Sequence, residues 1–191
     1  TWFYLSVTDS FNCTYTDSAL FVYQSTTTPI ISGGGMAYCN SDAPVLFTGA
    51  PVGGLWSGNG IINTGTGSFD PSLCSPGNNT IYYSLSGVCP AIDSITINIY
   101  AMPDIVDLVT NESCKNYCDG ELNLSSTIGS GPFQYSIDGG ATFLNTNTFP
   151  GLCPNTYYIE VMDANGCKTI DSTIINAAPS FSHQLSSFED T

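Results

Sequence analysis

One short pattern, Cys-x-x-x-Asp-Ser, recurs three times along the chain and constrains its fold more than any other feature. It stands at Cys13/Asp17/Ser18, Cys89/Asp93/Ser94 and Cys167/Asp171/Ser172, with intervals of 76 and 78 residues between the cysteines. Residues 4–18 (YLSVTDSFNCTYTDS) align without gaps on residues 158–172 (YIEVMDANGCKTIDS), and residues 79–94 follow 155–172 with a turn two residues shorter. Self-similarity at a fixed period marks an array of similar units. Pro29, Pro103 and Pro179 each follow the last strand-like run of a unit. We therefore expect 1–28 to be the last two strands of one unit, 29–102 and 103–178 to be complete units, and 179–191 to be the first strand of another. The opening TWFYLSVTDS has neither a basic n-region nor an apolar h-segment. The chain reads as a window on a longer polypeptide, with a further cysteine expected a few residues after Thr191, at the place of Cys114.

The units are expected to be β-structure. Ile95, Ile97 and Ile99 alternate with Ser94, Thr96 and Asn98. Leu122 and Leu124 alternate with Glu121, Asn123 and Ser125, and Tyr157, Ile159 and Val161 share a face. Period two with β-branched and aromatic enrichment means half-buried strands. Turn signals punctuate them: GGG at 33–35, SGNG at 57–60, DGG at 138–140 and ANG at 164–166. Several short strands in about 75 residues fit tandem immunoglobulin-like β-sandwich domains, all-β and held by disulfides. Trp56, within GLWSG, is a core residue on this reading, with Phe133 or Tyr135 in the same role in the next unit.

Eight cysteines beside only two basic residues, Lys115 and Lys168, suit an oxidising, extracellular setting. Cys39 is placed at the second strand of its unit and Cys89 at the final hairpin, as are Cys114 and Cys167. The expected bonds are Cys39–Cys89, Cys114–Cys167 and Cys118–Cys153. Cys13 matches Cys89 and Cys167, so its partner is expected upstream of Thr1. Cys74 matches Cys153 but has no cysteine near Ala43 to meet it. A Cys13–Cys74 bond is the alternative for these two. Zinc is a poor reading, because no second close pair completes a site with Cys114 and Cys118.

The net charge of −14 and the absence of arginine exclude a nucleic-acid binder, which needs clustered Lys or Arg against phosphate. They also argue against an anionic membrane surface. No run of about 18 apolar residues is present to insert into a bilayer.

The residues 161–167 (VMDANGC), preceded by NTYYIE, resemble the ending of SprB-type repeats, Y-x-V-x-V-x-D-x-N-G-C, found in very large cell-surface proteins of Bacteroidota. Residues 113–140 are similar to the opening of the same repeats. Residues 53–74 (GGLWSGNGIINTGTGSFDPSLC) resemble the Ig-like G-G-x-W-S-G-x-G-I…F-D-P modules that accompany them. The resemblance implies type IX secretion and a role in adhesion, gliding or surface appendages. Neighbouring repeats, identical chains in an appendage, and glycans would be the partners. Asp-Ser followed by Ala19, Ile95 or Thr173 also resembles the short O-glycosylation signal of that phylum, which would place glycans on Ser18, Ser94 and Ser172. Asn78 and Asn123 open Asn-x-Ser/Thr sequons, relevant only in a host with N-linked machinery.

Other chemistry is thinly represented. Asp119, Asp138 and Asp163 lie in Gly- or Asn-bearing turns and could ligate Ca²⁺; solvated turn residues making local Asx bonds are the plainer account. No catalytic motif is present, and no enzyme activity is expected. The sole histidine is His183. A carboxylate pair could serve a glycosidase, but acids kept for solubility explain the 16 Asp and Glu residues more simply. Tyr117 or Tyr158 could stack on a sugar, or simply pack within strands. The favoured function is a structural segment, a stalk, fibre or adhesin shaft, of a large secreted surface protein. A ligand-binding adhesive module or an accessory region of a secreted hydrolase are the alternatives.

Overall fold

A computed structural model describes residues 2–20 and 27–180. Among these the chain is all-β and forms tandem immunoglobulin-like sandwiches; a single 3₁₀ turn, Pro71–Leu73, is the one helical element. The chain opens with a hairpin of β1 (Trp2–Thr8) and β2 (Thr14–Leu20), paired from Trp2↔Leu20 to Thr8↔Thr14.

The next unit runs through β3 (Ile30–Ser32), β4 (Ala37–Cys39), β5 (Val45–Leu46), β6 (Thr48–Ala50), β7 (Leu55–Gly58), β8 (Ile61–Asn63) and β9 (Ser68–Phe69), then the long hairpin of β10 (Gly77–Leu85) and β11 (Ala91–Tyr100). One sheet has the order β4-β11-β10-β7, with β4 parallel to β11; β3-β6 and β5-β9-β8 face it. The alternating isoleucines of β11 send Ile97 and Ile99 into a core with Phe47, Trp56, Phe69, Ile81 and Tyr83. Trp56 is a core residue as expected, its ring 4.8 Å from that of Tyr83. Two glycines, Gly54 of GGLWSG and Gly49 before it, have a steric reason. A Cβ on either would lie 2.4 Å from the Tyr83 ring, so both segments close on that ring only without side chains. The buried phenol is satisfied: Tyr83 donates to the Pro51 carbonyl at 2.6 Å and accepts from the Gly54 N–H at 2.8 Å.

The second sandwich comprises β12 (Val106–Thr110), β13 (Gly120–Ser125), β14 (Gln134–Ser136), β15 (Thr148–Leu152), β16 (Asn155–Met162) and β17 (Lys168–Ile175). Sheet β12-β13-β15 packs on sheet β14-β16-β17. Leu122 and Leu124 from the first meet Tyr135, Ile159 and Val161 from the second, with Phe149 beside them. Fully burying a Leu or Ile side chain is worth about 1.5–3 kcal/mol, so each small core is the main support of its sandwich. The structure thus has two separate cores, one within 29–102 and one within 103–178.

Candidate functional site: the repeated hairpin and the joint

The Cys-x-x-x-Asp-Ser pattern maps onto the same place three times, the turn and second strand of a hairpin. In each, the serine lies opposite a tyrosine: Tyr4↔Ser18, Tyr82↔Ser94 and Tyr158↔Ser172. In each, the aspartate Oδ1 accepts the N–H of the following serine, at 2.8 Å for Asp17 and Asp93 and 2.7 Å for Asp171. All three serines and their tyrosines are exposed. Asp93 also accepts the Ile31 N–H at 2.9 Å, fastening the first strand of the unit to the last. The three candidate modification sites therefore share one backbone setting.

The turn that presents the cysteine is shared by the last hairpin and the first. Asp163 accepts from Asn165 N and Cys167 N, both at 2.9 Å, and Gly166 has φ +86°. In the first hairpin Asp9 accepts from Phe11 N at 2.8 Å and Cys13 N at 3.0 Å, and Asn12 takes φ +61°. Asn is a residue that tolerates the left-handed region, so it replaces glycine here without changing the turn.

One expected disulfide forms, between Cys118 and Cys153. The other corrects the sequence expectation: Cys39 bonds Cys167, with Cα atoms 5.5 Å apart. The expected Cys39–Cys89 and Cys114–Cys167 bonds do not form; Cys89 and Cys114 are exposed thiols, as is Cys13. Strand length explains this. Cys39 closes β4 beside Tyr100, at the far end of β11, whereas Cys89 lies in the turn before β11 begins. A ten-residue strand separates its ends by about 30 Å, and disulfide Cα atoms must come within about 7 Å. The eight residues of β17 part Cys167 from the Cys114 end in the same way. The two positions lie at opposite poles of one unit, so they meet only across a joint. There, the Cys167 turn of the second sandwich sits against the end of the first, where the chain passes from Tyr100 to Pro103. Asn40 N donates to Tyr100 O at 3.1 Å, and Thr169 Oγ1 donates to Pro103 O at 2.5 Å. Cys74 is a core residue rather than a bonding one, and a Cys13–Cys74 bond is absent. Burial, then the nearby Asp70 carboxylate, push the Cys74 thiol pKa up.

The turn carboxylates are occupied locally. Asp138 accepts from Ser136 Oγ at 2.7 Å, Thr142 Oγ1 at 2.5 Å and Thr142 N at 2.9 Å, and these bonds lower its pKa to about 2. Asp119 accepts from the hydroxyl and N–H of Ser113, which lower its pKa. Asp163 is taken up by the turn described above and by Ser130 N. Among the described residues, no group of three or more His, Cys, Asp or Glu is placed to hold a metal ion. The structure does not bring Asp119, Asp138 and Asp163 together. Tyr117 and Tyr158 are exposed, whereas Trp56 and Tyr83 have no free ring face for a sugar. His183 lies outside the described residues.

Three features had little local signal. Asp104 gathers Ser126 Oγ, Thr127 N and Oγ1, and Ile128 N within 2.7 Å, which holds its carboxyl well below the usual range. Glu112 is buried and accepts Cys118 N and Ala178 N, tying the Cys114 loop to the end of the unit. Glu160 is buried and paired with Lys168 at 3.2 Å. This last pair was legible in principle, since the two residues are diagonal across one hairpin.

No family model and no curated protein matches the sequence. Among solved structures, mouse cadherin-23 repeats EC22–24 align at 14% identity and TM-score 0.34, covering 79% of this chain and 67% of that one. The tri-modular endo-β-1,4-glucanase B (Cel5B) of Bacillus halodurans aligns at 11% identity and TM-score 0.27, covering 78% and 36%. Protocadherin gamma B7 domains 1–4 align at 12% identity and TM-score 0.25, covering 74% and 48%. The chain thus spans about a third to two thirds of the length of these proteins.

Proposed function

We propose that the chain is a load-bearing segment, a stalk, fibre or adhesin shaft, of a large secreted cell-surface protein. Its resemblance to SprB-type repeats supports reading it as a type IX secretion substrate of a Bacteroidota cell, used in adhesion or gliding. The observation that carries the reading is the Cys39–Cys167 bond, which joins two consecutive sandwiches across a sequence separation of 128 residues. A pull on the chain ends passes through that bond and leaves residues 40–166, which hold the buried residues of both core clusters, outside the force path. Disulfides of this kind belong to oxidising compartments. The short passage from Tyr100 to Pro103 and the strongly negative charge suit a stiff rod that does not associate indiscriminately. Ser18, Ser94 and Ser172, exposed at one repeated hairpin position, would carry glycans.

Stretching single molecules by their ends tests this. The oxidised chain should withhold nearly all of the enclosed 128-residue separation. A reductant should release about 420–460 Å of added length, at roughly 3.3–3.6 Å per residue. Equal extension with and without reductant would remove the mechanical reading. Intact mass of the native protein tests the glycans: unmodified peptides over all three serines would dismiss them.

A further inference from the structure

The Cys39–Cys167 bond joins two kinds of position, and both kinds recur. The hairpin position is held by Cys13, Cys89 and Cys167. Cys13 stands in a turn whose hydrogen bonds match those of Cys167, including Asp9 N to Cys13 O at 3.0 Å beside Asp163 N to Cys167 O at 2.9 Å. The unit-end position is held by Cys39 and Cys114. Each lies within two residues of one whose N–H bonds the last residue of its unit's closing strand or the one after it: Asn40 N to Tyr100 O at 3.1 Å, and Glu112 N to Asn176 O at 3.2 Å. Tyr100 and Asn176 each precede the boundary proline, Pro103 or Pro179, by three residues. One joint has both halves within the described residues, and there the halves are bonded. At the next unit end, Cys114 is exposed beside a surface hollow of about 240 Å³ lined by Ser113, Lys115, Ala178, Pro179 and Ser180.

We propose that Cys114 is an inter-unit disulfide site whose partner is the hairpin cysteine of the following unit of the same repeat. Cys89 and Cys13 are the hairpin halves that meet the unit-end cysteine of the unit before their own. The bonds form a ladder rather than isolated clasps. Each loop spans about 128 residues against a repeat of 76–78, so successive loops overlap and no stretch between joints lies outside one. Closure converts two thiols to one S–S bond. The two electrons and two protons pass to a disulfide-form thiol oxidoreductase, which leaves as its dithiol. The ladder goes beyond the shaft reading and does not depend on it.

Peptide mapping of the native protein, alkylated without reductant, reads these bonds directly. The peptide holding Cys114 should carry, covalently, a peptide with the Cys-x-x-x-Asp-Ser pattern. The Cys89 peptide should carry one whose cysteine follows a proline by ten or eleven residues. Alkylated Cys114 and Cys89, or a Cys89–Cys114 or Cys13–Cys74 bond, would overturn the ladder. As a second measurement, the chain can be lengthened by repeating residues 103–178 once more after Ala178. Cys114 should then bond the Cys167 of the added unit, and C114S should leave that added thiol titratable. A titratable added Cys167 with Cys114 intact would count against the proposal. A ladder without a stiff, extension-limited rod would sink the shaft reading alone; free thiols in a protein that still bears load would sink the ladder alone.

Discussion

The first hairpin and the last share a sequence pattern, a register and a turn, yet they live in opposite surroundings. Leu5 and Val7 of β1 are 65% and 56% exposed, whereas their counterparts Ile159 and Val161 of β16 are 1% and 0% exposed. Among the described residues β1 and β2 form a two-stranded sheet of their own, while β16 and β17 belong to a sheet that packs on β12-β13-β15. Local sequence therefore suffices to write the hairpin, its Asx turn and its pairing. It does not supply burial, which comes from strands far away in the chain. The same contrast separates the cysteines: Cys13 and Cys167 are presented alike, but among the described residues only Cys167 faces a unit end.

The strongest way to break the comparison is a buried charge. Val161→Asp should unfold the second sandwich, because an unpaired carboxylate in an apolar core costs several kcal/mol against a stability of about 5–15 kcal/mol. Val7→Asp should leave the denaturation midpoint within about 0.5 kcal/mol of the parent, as exposed substitutions do. Loss of the β-sheet circular dichroism signal in both variants, or in neither, would mean that the hairpins are not distinguished by burial.

The joint comes next. Replacing Cys39 and Cys167 together by serine should cost about 2–5 kcal/mol in chemical denaturation, since this bond closes a long loop. Cys13→Ser should cost nothing measurable in the same chain. The turn is a finer test. Gly166→Asn should cost under about 1 kcal/mol, because Asn12 already adopts that conformation and no atom lies within 4 Å of an added Cβ. Gly166→Val should cost about 1–3 kcal/mol, the strain of a β-branched residue at positive φ. Similar melting temperatures for both variants would show that the left-handed turn is dispensable.

The smallest effect is acid sensitivity. Asp104, Asp119 and Asp138 all have folded-state pKa values below the unfolded carboxylate value of about 3.9. Their stabilising bonds are therefore fully present above pH 4 and fade as pH falls through the folded values, near 2 for Asp138. The second sandwich should lose stability between pH 4 and 2, and D138N should flatten that slope in thermal melts. An unchanged slope would dismiss the Asp138 bonds as a source of stability.

Much of the fold was legible because its signals are local. The alternation of Ile95, Ile97 and Ile99, the turn residues around Asp163 and Gly166, and the repeat of Tyr, Asp and Ser across each hairpin all act over a few residues. The Cys118–Cys153 bond lies within one unit. The Glu112 and Asp104 networks were not legible, since their partners stand 6 to 66 residues away with no spacing rule to mark them.

By itself, the sequence determined the repeating units, their strands and the turns that present each cysteine, because hydrogen bonding and side-chain alternation are set between near neighbours. Only the tertiary structure decided that Cys39 meets Cys167. A strand is a rigid spacer of about 3.3 Å per residue. It sends the two cysteine positions of a unit to opposite poles, so each can bond only across a boundary between units.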